Sequence, residues 1–115
     1  MQRFPRGQLA IDQGETEVFS EYEEGGPMWT GSGSRERRRT VTFATPFLAP
    51  PVVQATVSLW DTDQSTNLRA DITAEHVTPE GCELVFRTWG DTRIARIRMR
   101  WIAIGAVASE DDWPV

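Results

Sequence analysis

The sequence predicts an all-β domain, a sandwich of antiparallel strands, and three observations carry that expectation. From Thr40 onward apolar and polar residues alternate over stretches of strand length. Clusters of Pro, Gly, Asp and Asn separate these stretches, and no 3.6-residue periodicity survives a count there. With 115 residues, 39% of them hydrophobic and five of them Trp, the chain is one domain in size and has enough apolar surface for one core.

Residues 1–39 read as a strand and loop segment that completes the domain. Gly25-Gly26-Pro27 and Gly31-Ser32-Gly33-Ser34 interrupt anything regular, so only short strands fit, over Gln8 to Asp12 and Glu17 to Ser20. The acidic run Glu21 to Glu24, broken by Tyr22, and the basic run Arg35 to Arg39, broken by Glu36, are opposite in sign. They read as solvated faces, with pairing across a turn or between subunits as the alternative.

The sandwich itself is expected over residues 40–106. Val41 and Phe43 point one way, Pro50-Pro51 ends a connection, and Val52 to Trp60 forms a long strand with Val53, Ala55, Val57 and Leu59 on one face. Asp61 to Asn67 is a turn. Leu68, Ala70, Ile72, Ala74 and His76 form the next alternation, which Thr78-Pro79-Glu80-Gly81 closes with hairpin chemistry. Cys82, Leu84 and Phe86 then alternate with Glu83, Val85 and Arg87 as far as Trp89. Ala95, Ile97, Met99, Trp101 and Ala103 make the inward face of the last strand. Arg96, Arg98 and Arg100 point outward, to solvent or to the acidic face of a neighbour. Five or six such strands make two sheets with one core between them. Residues 107–115 form an acidic tail bearing Trp113, either frayed or docked on a neighbour.

Charge and composition narrow the function. A net charge of -5 argues against a protein whose affinity comes from neutralising phosphates, so nucleic acid is not an expected partner. All 12 basic residues are Arg, which makes every positive site a planar fork suited to bidentate hydrogen bonding. The single cysteine, Cys82, forms no internal disulfide and reads as a small core residue. The start of the chain has no apolar run of signal-peptide length, and no segment approaches a membrane span. Export, where it occurs, is expected by another route or within a larger particle.

Catalytic chemistry finds little support. The one histidine, His76, lies on an apolar alternation and reads as a packed, hydrogen-bonded side chain, not as a general base. One His and one Cys do not complete a zinc site, and no cofactor is expected. Asp61-x-Asp63-x-Ser65-x-Asn67 spaces oxygen donors like the opening of an EF-hand loop. Its sixth position is Thr66 instead of Gly and its twelfth is Ile72 instead of Glu, so it reads as an ordinary turn. The informative pair is Arg69 and Trp89, both opposite the core alternation and near strand ends. An aromatic wall and a guanidinium fork suit a pyranose, which offers an apolar C–H patch and adjacent hydroxyls.

The order of the pieces Val41-Thr-Phe-Ala-Thr-Pro-Phe47, Pro50-Pro-Val-Val53, Asn67-Leu-Arg69, Thr78-Pro-Glu-Gly81, Thr88-Trp89-Gly-Asp-Thr92 and Trp101-Ile-Ala-Ile-Gly105 resembles the H-type lectin domain of invertebrate agglutinins and of the discoidin C-terminus. The resemblance implies a six-stranded antiparallel β-sandwich that assembles as a homotrimer or as two stacked trimers. It also implies binding of galactose or N-acetylgalactosamine (GalNAc) in clefts between protomers, without a metal. By the same resemblance Arg69 hydrogen-bonds ring hydroxyls and Trp89 packs on the sugar. The residue after that Trp is often His in the family and is Gly90 here, which removes a partner for the N-acetyl group. A loop aspartate of the family falls near Ser32, with Glu36 or Asp91 as the other substitutes. Leu48 and Phe86 stand near the family's disulfide positions, and the resemblance implies that their packing replaces the bond. The functions expected are therefore a carbohydrate-binding module or, alternatively, a structural or adhesion module of a larger assembly that has lost sugar binding.

Overall fold

A computed structural model describes residues 1–4 and 7–109. The chain forms β1 (Gln8–Ser20), one helical turn α1 (Pro27–Thr30), β2 (Arg35–Thr42), β3 (Val52–Thr62), β4 (Asp71–Glu75), β5 (Gly81–Thr88) and β6 (Ile94–Val107). Six strands make two antiparallel three-stranded sheets, ordered β1-β6-β3 and β2-β5-β4. The sandwich that sequence alternation predicts is thus present. The second strand starts at Arg35, five residues upstream of the start expected at 40.

The inward side chains of both sheets form one core. Leu84, Phe86, Ile97, Met99 and Ala103 are fully buried, and Val41, Phe43, Cys82 and Trp101 nearly so. Phe86 meets Phe19 edge-on at 5.6 Å and Trp60 at 6.0 Å, while Phe43 contacts both Phe47 and Trp101. Burying side chains of this size contributes about 1.5–3 kcal/mol each.

Several expectations are corrected. The first strand is not two short pieces but one of 13 residues, paired with β6 along its length. A bulge at Val18 turns two consecutive side chains, Val18 and Phe19, into the core. Another bulge at Ser58 reverses the parity of β3, so Trp60 lies opposite buried Ile97 and Leu59 opposite outward Arg98. The strand expected over residues 67–76 is only the five residues of β4, and Leu68 is exposed. His76 is not packed: it is exposed, ends the strand with a left-handed φ of 51°, and sets Nδ1 3.0 Å from Glu83 Oε2. Leu48 is exposed with its N–H bonded to Ala106 O, so no Leu48–Phe86 packing stands in for a disulfide.

The two charged runs partly meet. Glu21 accepts from Arg37 at 2.6 Å and from the Met28 N–H at 2.9 Å, which ties the β1–β2 loop to its sheet. Arg38 and Arg87 share Glu36 and Glu75, and Arg38 also holds Glu83, all on the outer face of β2-β5-β4. Beneath this lattice Val85 is fully buried although it points away from the core. On the other sheet Arg96 pairs with Asp61, while Arg98 and Arg100 pair with Glu15, so the outward arginines find carboxylates within their own chain. The tail residue Trp113 lies outside the described residues.

Candidate functional site

Three connections meet at one end of the sandwich: residues 21–34, 63–70 and 89–93. Their backbones are laced together. Thr88 Oγ1 donates to Arg69 O at 2.6 Å, Thr92 Oγ1 donates to Asn67 O, and Thr92 Oγ1 accepts the Arg69 N–H at 3.0 Å. Both threonines are buried, at 1% exposure each. A buried hydroxyl needs partners, and here they are the main chain of Asn67 and Arg69. The Arg69 side chain therefore leaves a fixed backbone into solvent.

Gly90 sits between Arg69 and the β1–β2 loop. Its φ is +72°, a left-handed conformation that costs glycine nothing. A Cβ there would stand 3.5 Å from Arg69 Cδ and Nε, so the guanidinium stem runs along the bare glycine. Gly90 O accepts from the Gly33 N–H at 2.9 Å and from Arg35 Nη2 at 3.3 Å. Ser32, exposed, is carried to this end by that anchored neighbour. Asp91 accepts from the Asn67 N–H and Nδ2, each at 3.4 Å, and so reinforces the Asn67–Arg69 segment.

Trp89 is 42% exposed, and a hollow of about 470 Å³ opens beside it. Ser34, Arg35, Glu36, Asp71, Arg87 and Thr88 complete its walls. The hollow combines an aromatic ring, two carboxylates and two guanidinium groups, which is chemistry for a neutral polyhydroxy ligand. Arg69 is not among these walls. The sequence-predicted residues Arg69, Trp89, Gly90, Asp91 and Ser32 thus share one end of the fold, with the Arg69 stem along Gly90 and Trp89 the residue before it. Sequence reasoning missed Thr88 and Thr92 as positioning residues, although both stand in the Thr-Trp-Gly-Asp-Thr segment. It also missed Asp71 and Arg87, whose alternation marked only an outward face, and Ser34, which read as loop.

The turn expected over Asp61 to Asn67 starts later, because Asp61 and Thr62 still pair with β6 within β3, and it is closed by its own side chains. Asp63 accepts from the Ser65 N–H at 2.8 Å, from Ser65 Oγ at 2.6 Å and from Arg93 at 3.2 Å. The Ser65 hydrogen bonds, with Arg93 behind them, hold the Asp63 carboxyl below its usual range. Among the described residues no group of His, Cys, Asp and Glu is arranged to hold a metal ion. Burial, aided by Glu83, pushes the Cys82 thiol up, as befits a core side chain.

Comparison with known proteins bears on the family and the fold. The chain is 50% identical over 107 residues to a Fuscovulum blasticum protein named "ATP synthase subunits region ORF 7", covering 93% of each. Its fold is similar to that of discoidin II from Dictyostelium discoideum, with a TM-score of 0.73 at 24% identity over 85% of this chain. This chain spans only 37% of that discoidin. It is also similar to the Pseudomonas aeruginosa R1 pyocin fibre, with a TM-score of 0.51 at 20% identity, over 84% of this chain and 23% of the fibre chain. The profile of the H-type lectin domain matches residues 38–104, more than half of the sequence and nearly all of β2 to β6. The chain belongs to the H-type lectin domain family.

Proposed function

We propose that the protein is a carbohydrate-binding module that recognises galactose or GalNAc at clefts between the protomers of a homotrimer. The observation that carries this reading is an exposed Arg69 whose stem runs along Gly90, next in the chain to exposed Trp89, over a backbone clamped by two buried hydroxyls. Arg69 supplies paired N–H donors to neighbouring ring hydroxyls, and Trp89 offers its face to the sugar's C–H patch. Gly90 leaves the guanidinium uncovered and brings no side chain to an N-acetyl group, which favours a site that separates galactose from GalNAc weakly. Asp91 acts on the ligand through Asn67 and Arg69. Ser32, or Glu36 at the wall of the hollow, takes the acceptor role expected of a loop aspartate. Three shallow sites on one trimer gain strength by multivalency, which raises avidity by about 10²- to 10⁴-fold.

A second reading, a structural or adhesion module of a larger assembly, draws support from the fold shared with the pyocin fibre and from the ion pairs that already engage Glu36. Solution mass and a glycan array separate the two. The lectin reading expects a trimer whose array signal disappears in Arg69→Ala and Trp89→Ala. A folded trimer with an empty array leaves the assembly reading in its place.

A further inference from the structure

The outer face of the other sheet carries a second hollow, of about 400 Å³, lined by Ser20, Tyr22, Glu23, Trp29, Asp61 and Arg96. Its floor is one row across three strands, Ser20 of β1 opposite Arg96 of β6 opposite Asp61 of β3. Arg96 Nε donates to Asp61 Oδ2 at 2.9 Å, so a donor fork and an acceptor carboxylate lie side by side. Its wall is an aromatic corner: the Tyr22 and Trp29 rings lie 5.1 Å apart at 68°.

The corner is braced from behind. Arg93 stacks on the Trp29 ring at 4.5 Å, donates Nε to Trp29 O at 2.8 Å and pairs with Asp63 at 3.2 Å. Glu21 ties the base of the loop through the Ala95 carbonyl, the Met28 N–H and Arg37. Tyr22 nevertheless stays 59% exposed, a large ring held in place with one side to solvent. None of the hollow's residues takes part in the Arg69–Trp89 site.

We propose that this hollow is a second saccharide site, taking one neutral pyranose unit; the ligand class rests on the lectin reading above, whereas the residues are independent of it. The corner supplies the surface for C–H stacking, and the Arg96–Asp61 pair matches two adjacent hydroxyls, each both donor and acceptor. An anionic ligand is disfavoured because Glu23 and Asp61 outnumber Arg96. A cation is disfavoured because Arg93 already lies on the Trp29 face.

The test is nuclear magnetic resonance of the ¹⁵N-labelled full chain. The Trp29 and Trp89 indole N–H signals are followed during titration with the methyl glycosides of galactose, glucose, mannose, GalNAc and N-acetylglucosamine, and separately with tetramethylammonium. The proposal expects the Trp29 signal to move with at least one glycoside. Tyr22→Ala is expected to weaken that response about tenfold, while Tyr22→Phe, which keeps the ring, retains it in an equally dispersed spectrum. A Trp29 response without a Trp89 response leaves this site standing and refutes the galactose site, and the reverse refutes this one. Silence at both positions, a response to tetramethylammonium alone, or a Trp29 response indifferent to Tyr22→Ala overturns the proposal.

Discussion

Thr92→Val removes one hydroxyl and almost no volume, and it bears directly on how Arg69 is held. The hydroxyl donates to Asn67 O and accepts the Arg69 N–H at 3.0 Å, so valine deletes two hydrogen bonds and leaves both main-chain groups facing a methyl. A hydrogen bond of this type contributes about 1 kcal/mol net, and a stranded buried group costs about 1–3 kcal/mol. Because the Asn67–Arg69 segment is partly open to water, we expect a loss of about 2 kcal/mol, or about 8 °C in Tm for a domain of this size. Thr88→Val deletes only the bond to Arg69 O at 2.6 Å and should lose about half as much. Urea unfolding followed by circular dichroism gives the stability, and titration with galactose gives the site. Thr92→Val is expected to weaken sugar binding about tenfold although Thr92 is itself buried, because the guanidinium loses its fixed origin. A stability change below about 0.5 kcal/mol with unchanged sugar affinity would refute the clamp.

Gly90→Ala should cost about 1–2 kcal/mol through its φ of +72°, without a collision, since the new Cβ meets Arg69 at an ordinary 3.5 Å. Thermal unfolding checks this, and an unchanged Tm would mean that the loop relaxes to a negative φ. Acid should also destabilise the fold. Glu75 is held below its ordinary value of 4.5 by Arg87 first and Arg38 after it, and Glu83 by His76 first and Arg38 after it. Both values are depressed in the folded chain, so their contribution is complete above pH 4.5 and drains away as pH falls through the lowered values. Arg38→Gln should partly flatten the fall in Tm below pH 4.5, and an acid profile identical to the parent's would show that Arg38 contributes nothing to it.

The strands that alternate visibly in the sequence are those whose inner face is continuous. β5 and β6 read correctly because Cys82, Leu84, Phe86, Ile97, Met99 and Trp101 hold their parity from end to end. β1 was not legible as one strand, because Gln13, Gly14, Glu15, Thr16 and Glu17 have loop chemistry. What keeps that stretch extended is its partner: Trp101 faces Gly14, its indole within 2.9 Å of where a Cβ would be. Bulges are equally silent, since the extra residues Val18 and Ser58 look like ordinary members of a run. At the site, Arg69 and Trp89 stood out by type and by motif. Thr88 and Thr92 did not, because a threonine's task depends on a main chain some twenty residues away. The Tyr22–Trp29 corner was invisible for the same reason, as six residues, Glu23 to Met28, separate rings that finally touch.

The hydroxyl clamp also bears on how a site of this kind changes over generations. Because hydrogen bonds between Thr88, Thr92 and the main chain, reinforced by Asp91 on Asn67, fix where the Arg69 stem begins, the origin of the guanidinium does not depend on a side chain at 90. Exchanging residue 90 then carries the backbone cost of its left-handed φ, while the hydroxyl anchor on Asn67 and Arg69 stays in place. Two buried threonines thereby divide the loop into a fixed frame and an exposed surface, and the second can vary without rebuilding the first.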